Sequence, residues 1–425
     1  MIELMQHHTA LIHATLRSPL QASAAIRQHG RLWLLLAVLG MLAGCASQPP
    51  SGRQPGPWNF NALSQPPAVQ WGATNGLVQE LFYENEPLNG NPTRVFAYLG
   101  RPAGTAKGRR PAMVLVHGGG GKAFKDWAEY WAKRGFVALA MDLAGNGPAG
   151  RLPDGGPDQS DPVKFRDFTE ANTREMWTYH AVAAVLRGHS LLRSLPDVDA
   201  ERVGVTGISW GGYLTCIVAG IDPRFKVAVP VYGCGFLGEN SHWTDKSLAA
   251  MTPEARALWL RLFDPSRYLG HVGRPTLFVN GTTDFAYPLD SYQKSYRLVP
   301  EKWRHVSMVV NRPHGHIWTF PEVDAFVDSV LRGKPSLVRV GVPVVAGGRL
   351  TAQLDRATSF KELSLCYTTD SGPWQKRQWQ TAPARVEGRM LSAELPGARP
   401  LVAFLVVTDE TGARISSEHL ELPAP

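Results

Sequence analysis

The chain has 425 residues, of which 44% are hydrophobic and 19% charged. Those values exclude a disordered or fibrous polymer and suit one large α/β domain with a smaller companion. The formal charge of +8 is spread without a basic run or a nucleic-acid motif, so it reads as a solvated surface and gives no support to a nucleic-acid partner.

The first element in the chain is a leader. Arg27 and Arg31 precede the apolar run Leu32 to Cys45 (LWLLLAVLGMLAGC), which has the length of a signal-peptide core and is short for a membrane span. The run ends in Leu42-Ala43-Gly44-Cys45. This ending resembles the bacterial lipobox, whose cysteine becomes the lipidated first residue. The resemblance implies an exported lipoprotein anchored at Cys45, with Ala46 pointing to the outer membrane, facing the periplasm or the exterior. Residues 1–44 are then a signal peptide and 45–69 a tether, with the Pro/Gly-rich QPPSGRQPGP at its centre.

The body of the chain follows over residues 70–335. LVQELFY (77–83) and RVFAYLG (94–100) read as an opening antiparallel pair. AMVLVHG (112–118) and FVALAMD (136–142) are aliphatic runs suited to strands buried on both faces. FKDWAEYWAKRG (124–135) between them is amphipathic and stops at glycine, and 162–192 is mostly helical in pattern. Strand patterns recur at 203–207, 226–233, 276–281 and 305–310, and PEVDAFVDSVL (321–331) closes the series as a helix. The alternation predicts a doubly wound, mostly parallel sheet. The segment 235–268 is a longer excursion placed to cap the site. From 336 to 425 short Val- and Thr-rich runs between turns predict a small all-β, sandwich-like domain.

Ligands bind at the carboxyl ends of such strands, so the residues there carry the functional argument. AMVLV ends in His117-Gly118-Gly119-Gly120-Gly121, RVGVTG ends at Ser209, TLFVNG ends near Asp284, and HVSMVV leads to His314-Gly315-His316. Ser209 lies in GISWGGY at a strand-to-helix corner, where the glycines leave room for a sharply turned, exposed serine. The chain order of glycine loop, Ser, Asp and His is that of the α/β-hydrolase triad. Ser209 is the expected nucleophile, Asp284 the residue that orients the base, and His316 the base, because Gly315 directly precedes it; His314 is the alternative. The N–H of Trp210, with that of Gly119 or Gly120, is expected to hold the oxyanion. His117 is read as shaping the glycine loop and Asp142 as ending a strand. Tyr213, Trp243 and Tyr287 lie beside these loops and are expected to contact substrate. The spacing of His and Cys offers no structural metal, and no cofactor is expected. Cys216 and Cys234 are read as either bridged or separately buried.

The stretches VLVHGGGGKAFKDW, GISWGGYL, VYGCGF, NGTTDFAYPLDSYQKSY and PHGHIW resemble the acetylxylan-esterase and dienelactone-hydrolase-like group of bacterial α/β-hydrolases, over roughly residues 70–335. The resemblance implies a serine esterase acting on small acyl esters, acetyl above all, carried by carbohydrates. It also implies a β-domain after the hydrolase fold. Dienelactone hydrolases proper use a cysteine nucleophile, and Ser209 argues against their activity. GISWGGY also resembles the prolyl-oligopeptidase family, which gives an exopeptidase as the alternative, with Glu239 as the acid that would hold a free N-terminus. The stretch between Cys45 and Leu77 is too short for that family's propeller. A non-catalytic glycan-binding lipoprotein is the third reading, and a complete triad counts against it.

Overall fold

Aliphatic runs without polar alternation are satisfied only by strands covered on both faces, and the computed structural model places them at the centre of the molecule. It describes residues 56–104 and 108–424; the leader and Cys45 lie outside the described residues. A nine-stranded sheet contains β1 (Val69–Asn75), β2 (Val78–Leu88), β3 (Asn91–Gly100), β4 (Arg110–Val116), β5 (Val137–Met141), β6 (Val198–Ile208), β7 (Val227–Val231), β8 (Thr276–Gly281) and β9 (Arg304–Val309). Their spatial order is β1-β2-β3-β5-β4-β6-β7-β8-β9. The first three strands and the β3–β5 pair are antiparallel, and the rest of the sheet is parallel. This is the mostly parallel sheet of an α/β-hydrolase fold.

The helices cover it in the expected alternation. They include α1 (Lys125–Lys133), α2 (Trp177–Ser194), α3 (Trp210–Ile221), α4 (Pro253–Phe263), α5 (Leu289–Arg297) and α6 (Pro321–Arg332). Helix α3 is apolar on every side, because it runs through the centre of the molecule; all its residues but Gly220 are buried. The 235–268 excursion is pinned to the body by polar contacts. Gly235 N–H donates to Ser295 Oγ (2.9 Å), and Trp259 Nε1 donates to the Lys164 carbonyl (3.0 Å).

Two boundaries differ from expectation. The expected tether, 45–69, does not extend to residue 69. Trp58 is buried and donates from Nε1 to the Tyr179 carbonyl (2.9 Å), and Leu63 is buried. An indole and a leucine supply enough apolar surface to hold the segment on α2. The second difference is β1, which the sequence does not announce. Six of its seven residues are exposed, so it lacks the alternation that marks a half-buried strand.

The C-terminal region holds two antiparallel sheets. One has the order β10-β11-β15-β14, with β10 (Val344–Ala346), β11 (Arg349–Gln353), β14 (Arg385–Glu387) and β15 (Met390–Glu394). The other has the order β13-β12-β16-β17, with β18 also on β16. It comprises β12 (Glu362–Thr368), β13 (Gln380–Pro383), β16 (Leu401–Thr408), β17 (Arg414–Ser416) and β18 (Leu420–Leu422). These sheets belong to the same compact unit as the hydrolase sheet. They cover β9, the edge strand of the large sheet. Met308 N–H donates to Ser416 Oγ (3.0 Å), and the buried Glu418 carboxylate accepts from Arg297 Nε (2.7 Å) and from Arg304. A covered edge cannot recruit a strand from another molecule.

Candidate active site

Ser209 sits between β6 and α3 with φ +61° and ψ −120°. A non-glycine residue held in that region costs about 1–3 kcal/mol and persists only where its surroundings fix it. The surroundings are backbone. A Cβ at Gly207 would lie 2.4 Å from the Gly211 carbonyl oxygen, one at Gly211 2.0 Å from that of Val116, and one at Gly212 2.3 Å from that of Val231. Ser209 N–H donates to the Val231 carbonyl (2.9 Å). The glycines therefore let the elbow press against the ends of β4 and β7, and that pressure holds the serine in its strained turn.

Asp284 follows β8. Its Oδ1 accepts from the N–H groups of Ala286 (2.9 Å) and Tyr287 (2.8 Å), which leaves Oδ2 free to face a partner. That partner is His314, whose Nδ1 lies 2.6 Å away. The sequence favoured His316 as the base with His314 as the alternative, and the imidazole paired with Asp284 is that of His314. A Nδ1–H directed at the carboxylate leaves the His314 Nε2 lone pair free to take a proton. The His314 ring is held flat against Tyr232 (centroids 4.5 Å, 24°), and Tyr232 OH donates to the Pro313 carbonyl (2.9 Å).

His316 is turned the other way. Its Nε2 accepts the Gly118 N–H (3.1 Å), and its ring lies on Phe124 (5.3 Å) and Trp127 (6.2 Å). Burial, with His117 and His314 adding to it, pushes its pKa down to about 4. It is a neutral acceptor without a carboxylate partner, which is the physical reason it does not fill the place expected of it.

The glycine loop is fixed by His117, as expected. His117 Nε2 accepts from Leu143 N–H (2.8 Å), and Nδ1 lies 2.8 Å from the Gly118 carbonyl oxygen. Asp142 caps the turn after β5, accepting from Ala144 N–H (2.9 Å) and Asn146 N–H (2.7 Å). Gly118 N–H is taken by His316 and Gly121 N–H by the Gly118 carbonyl (3.1 Å), whereas Gly119 and Gly120 N–H donate to no described residue. Gly119 lies against the Trp210 indole, since a Cβ there would be 2.9 Å from Cδ1. Trp210 N–H opens α3, where the helix dipole favours an anion. Two free donors beside a serine can stabilise a tetrahedral oxyanion.

The three expected substrate-contacting rings are placed differently. Tyr213 and Tyr287 have no exposed surface and Trp243 is 5% exposed. Tyr213 OH donates to the Phe263 carbonyl, and Trp243 packs on Trp210 (4.4 Å) and Tyr287 (5.5 Å). These rings fill the interior beneath the nucleophile. The exposed apolar side chains near the base are Phe285 (52%, its ring 4.8 Å from that of His314) and Ile317 (77%). Phe285 directly follows Asp284 in the sequence, and that adjacency was the signal available. Lys164, 3% exposed, lies over the Trp210 face (4.2 Å) and pairs with Asp161 (2.9 Å). Cys216 and Cys234 are buried free thiols, so of the two expectations it is burial that the structure shows; burial also pushes both pKa values up. Among the described residues no group of three or more His, Cys, Asp or Glu is placed to hold a metal.

Residues 95–295 match the dienelactone hydrolase family. The matched residues include Ser209 and Asp284 and end before His314. The acetyl esterase Axe7A of Xylanibacter ruminicola is 29% identical over 150 residues, 32% of this chain and 31% of that esterase. The chain therefore spans under a third of that relative's length. A probable 2-oxo-3-(5-oxofuran-2-ylidene)propanoate lactonase of Bradyrhizobium sp. is 29% identical over 209 residues, 48% of this chain and 74% of the relative. Among solved structures, the acetyl xylan esterase of Paenibacillus sp. R4 is similar at 19% identity and a TM-score of 0.49, over 61% of this chain and 88% of that one.

Proposed function

We propose that the protein is a serine carboxylic-ester hydrolase that removes small acyl groups, acetyl above all, from carbohydrate hydroxyls. The observation that carries this reading is the 2.6 Å contact between His314 Nδ1 and Asp284, in a chain that also holds Ser209 in a strained strand-to-helix turn. Ser209 Oγ attacks the acyl carbonyl and His314 takes its proton. The N–H groups of Trp210 and Gly119 hold the oxyanion. His314 then protonates the leaving alcohol, and water hydrolyses the acyl-enzyme by the same steps in reverse. The small acyl group is favoured by the packed rings of Trp210 and Trp243 beneath the serine, and acetyl by the name of the Xylanibacter relative. The exopeptidase alternative would use the Glu239 carboxylate, which pairs with Lys294 at the surface.

The expected outcome is acetate release from acetylated xylan and glucose pentaacetate, with little cleavage of aminoacyl anilides. Ser209→Ala should lower turnover by about 10⁶-fold. Preference for an anilide, or for acyl chains of eight carbons, would sink the reading. We further propose export and lipid anchoring at Cys45, supported by the sequence LAGC after an apolar run. Cys45→Ser should move the protein from the membrane to the soluble fraction; a variant that still sediments with membranes counts against the anchor.

A further inference from the structure

The proposed reaction gives His316 no step, although it stands at the site. It stands two residues from His314 on the same loop, yet its side chain contacts the glycine loop. Its Nε2 accepts the Gly118 N–H (3.1 Å), its ring rests on Phe124, and its carbonyl accepts from Trp127 Nε1–H (3.2 Å). The position is tight: a Cβ at Gly118 would be 2.6 Å from His316 Nε2 and 2.7 Å from Ser209 Cβ. These contacts act on two successive peptide planes. His316 fixes the plane that carries the Gly118 N–H. The next plane carries the Gly118 carbonyl and the Gly119 N–H, and its carbonyl is held by Gly121 N–H (3.1 Å) and by His117 Nδ1 (2.8 Å). A trans peptide is planar, with N–H and C=O pointing in opposite directions. Fixing the Gly118 carbonyl therefore fixes the direction of the Gly119 N–H.

We propose that His316 is a positioning residue that ties the loop bearing the base to the loop bearing the oxyanion donor, by accepting the Gly118 N–H while clamped on Phe124 and Trp127. The inference rests on the ester-hydrolase reading for its kinetic arm alone. It explains why two histidines flank one glycine: His314 moves the proton, and His316 holds the peptide plane just before the one that carries the Gly119 N–H.

The test compares His316→Phe, which keeps a ring and loses the acceptor, with His316→Gln, which restores an acceptor. In p-nitrophenyl acetate hydrolysis, His316→Phe should lose about 10- to 100-fold in kcat with KM nearly unchanged, somewhat less than the ~10²–10³ lost when an oxyanion donor is removed outright. Its affinity for a small alkylboronic acid, which forms a tetrahedral adduct on Ser209, should fall by a similar factor. His316→Gln should recover part of both. An unchanged kcat and boronate affinity in His316→Phe overturns the proposal, as does a loss equal to that of His314→Ala, which would make His316 the base. Equal losses in both variants, accompanied by equal falls in melting temperature, reduce it to a packing residue and overturn it too. If the wild-type protein hydrolyses no ester, the functional reading has failed, and boronate binding measured by calorimetry still decides whether His316 positions the loop.

Discussion

The turn around Ser209 and the loop from Asn311 to Phe320 both lie at carboxyl ends of sheet strands, and they are built on opposite terms. In the first, every glycine touching the serine stands against backbone: a Cβ at 207, 211 or 212 would fall 2.0–2.4 Å from a carbonyl oxygen. In the second, no heavy atom of the described residues, its chain neighbours aside, lies within 4 Å of the place a Cβ on Gly315 would occupy. A side chain in the first turn is placed by backbone pressed against glycines at a fixed spacing from it. A side chain in the second is placed by partners elsewhere in the chain: His314 by Asp284, thirty residues earlier, and His316 by Gly118. A steric requirement of the first kind is written as glycine in a fixed spacing. A requirement of the second kind leaves no local mark.

The largest effect that tests this contrast is the loss of the base. Removing the triad histidine in a comparable enzyme costs about as much as removing the whole triad, on the order of 10⁶ in turnover. His314→Ala should therefore approach that loss in ester hydrolysis, far beyond any variant at 316, while the melting temperature stays close to that of the parent. An alanine at 314 that retained a hundredth of the activity would show that the Asp284 contact orients a residue the chemistry does not use.

The same contrast explains how much could be read from the sequence. The buried strands β4, β5, β7 and β8 were legible because coverage on both faces demands unbroken aliphatic runs. The nucleophile and the orienting aspartate were legible because each sits directly at a strand end. The base was legible only as one of two, since Gly315 permits either imidazole to reach inward and the choice depends on where Asp284 points. The substrate-contacting rings were misplaced for a related reason. Tyr213 lies one α-helical turn beyond Ser209 on α3, which is buried on every side, so nearness in sequence to the nucleophile put it under the site. Phe285 was overlooked because a single exposed ring carries no periodicity. Strand β1 was invisible because both of its faces are mostly in solvent and its residues show no apolar alternation.

A pair of glycine substitutions measures the difference directly, one with a large expected effect and one with almost none. At 211 the added methyl must displace the Val116 carbonyl, which belongs to β4 in the centre of the sheet and has no freedom to move. Overpacking of that kind should cost Gly211→Ala about 3 kcal/mol or more in urea unfolding, with activity lost as the elbow relaxes. At 315 the methyl enters open space, and Gly315 does not have the left-handed φ that alanine resists. Alanine there mainly narrows the unfolded ensemble, a gain of about 0.4–1 kcal/mol where the native backbone is compatible. Gly315→Ala should therefore unfold at the same or slightly higher urea concentration and keep ester hydrolysis within about threefold, because both imidazoles are held by contacts the methyl does not reach. A tenfold loss at 315 would mean that the loop must flex during turnover, and the base would then be set by motion as well as by the Asp284 contact.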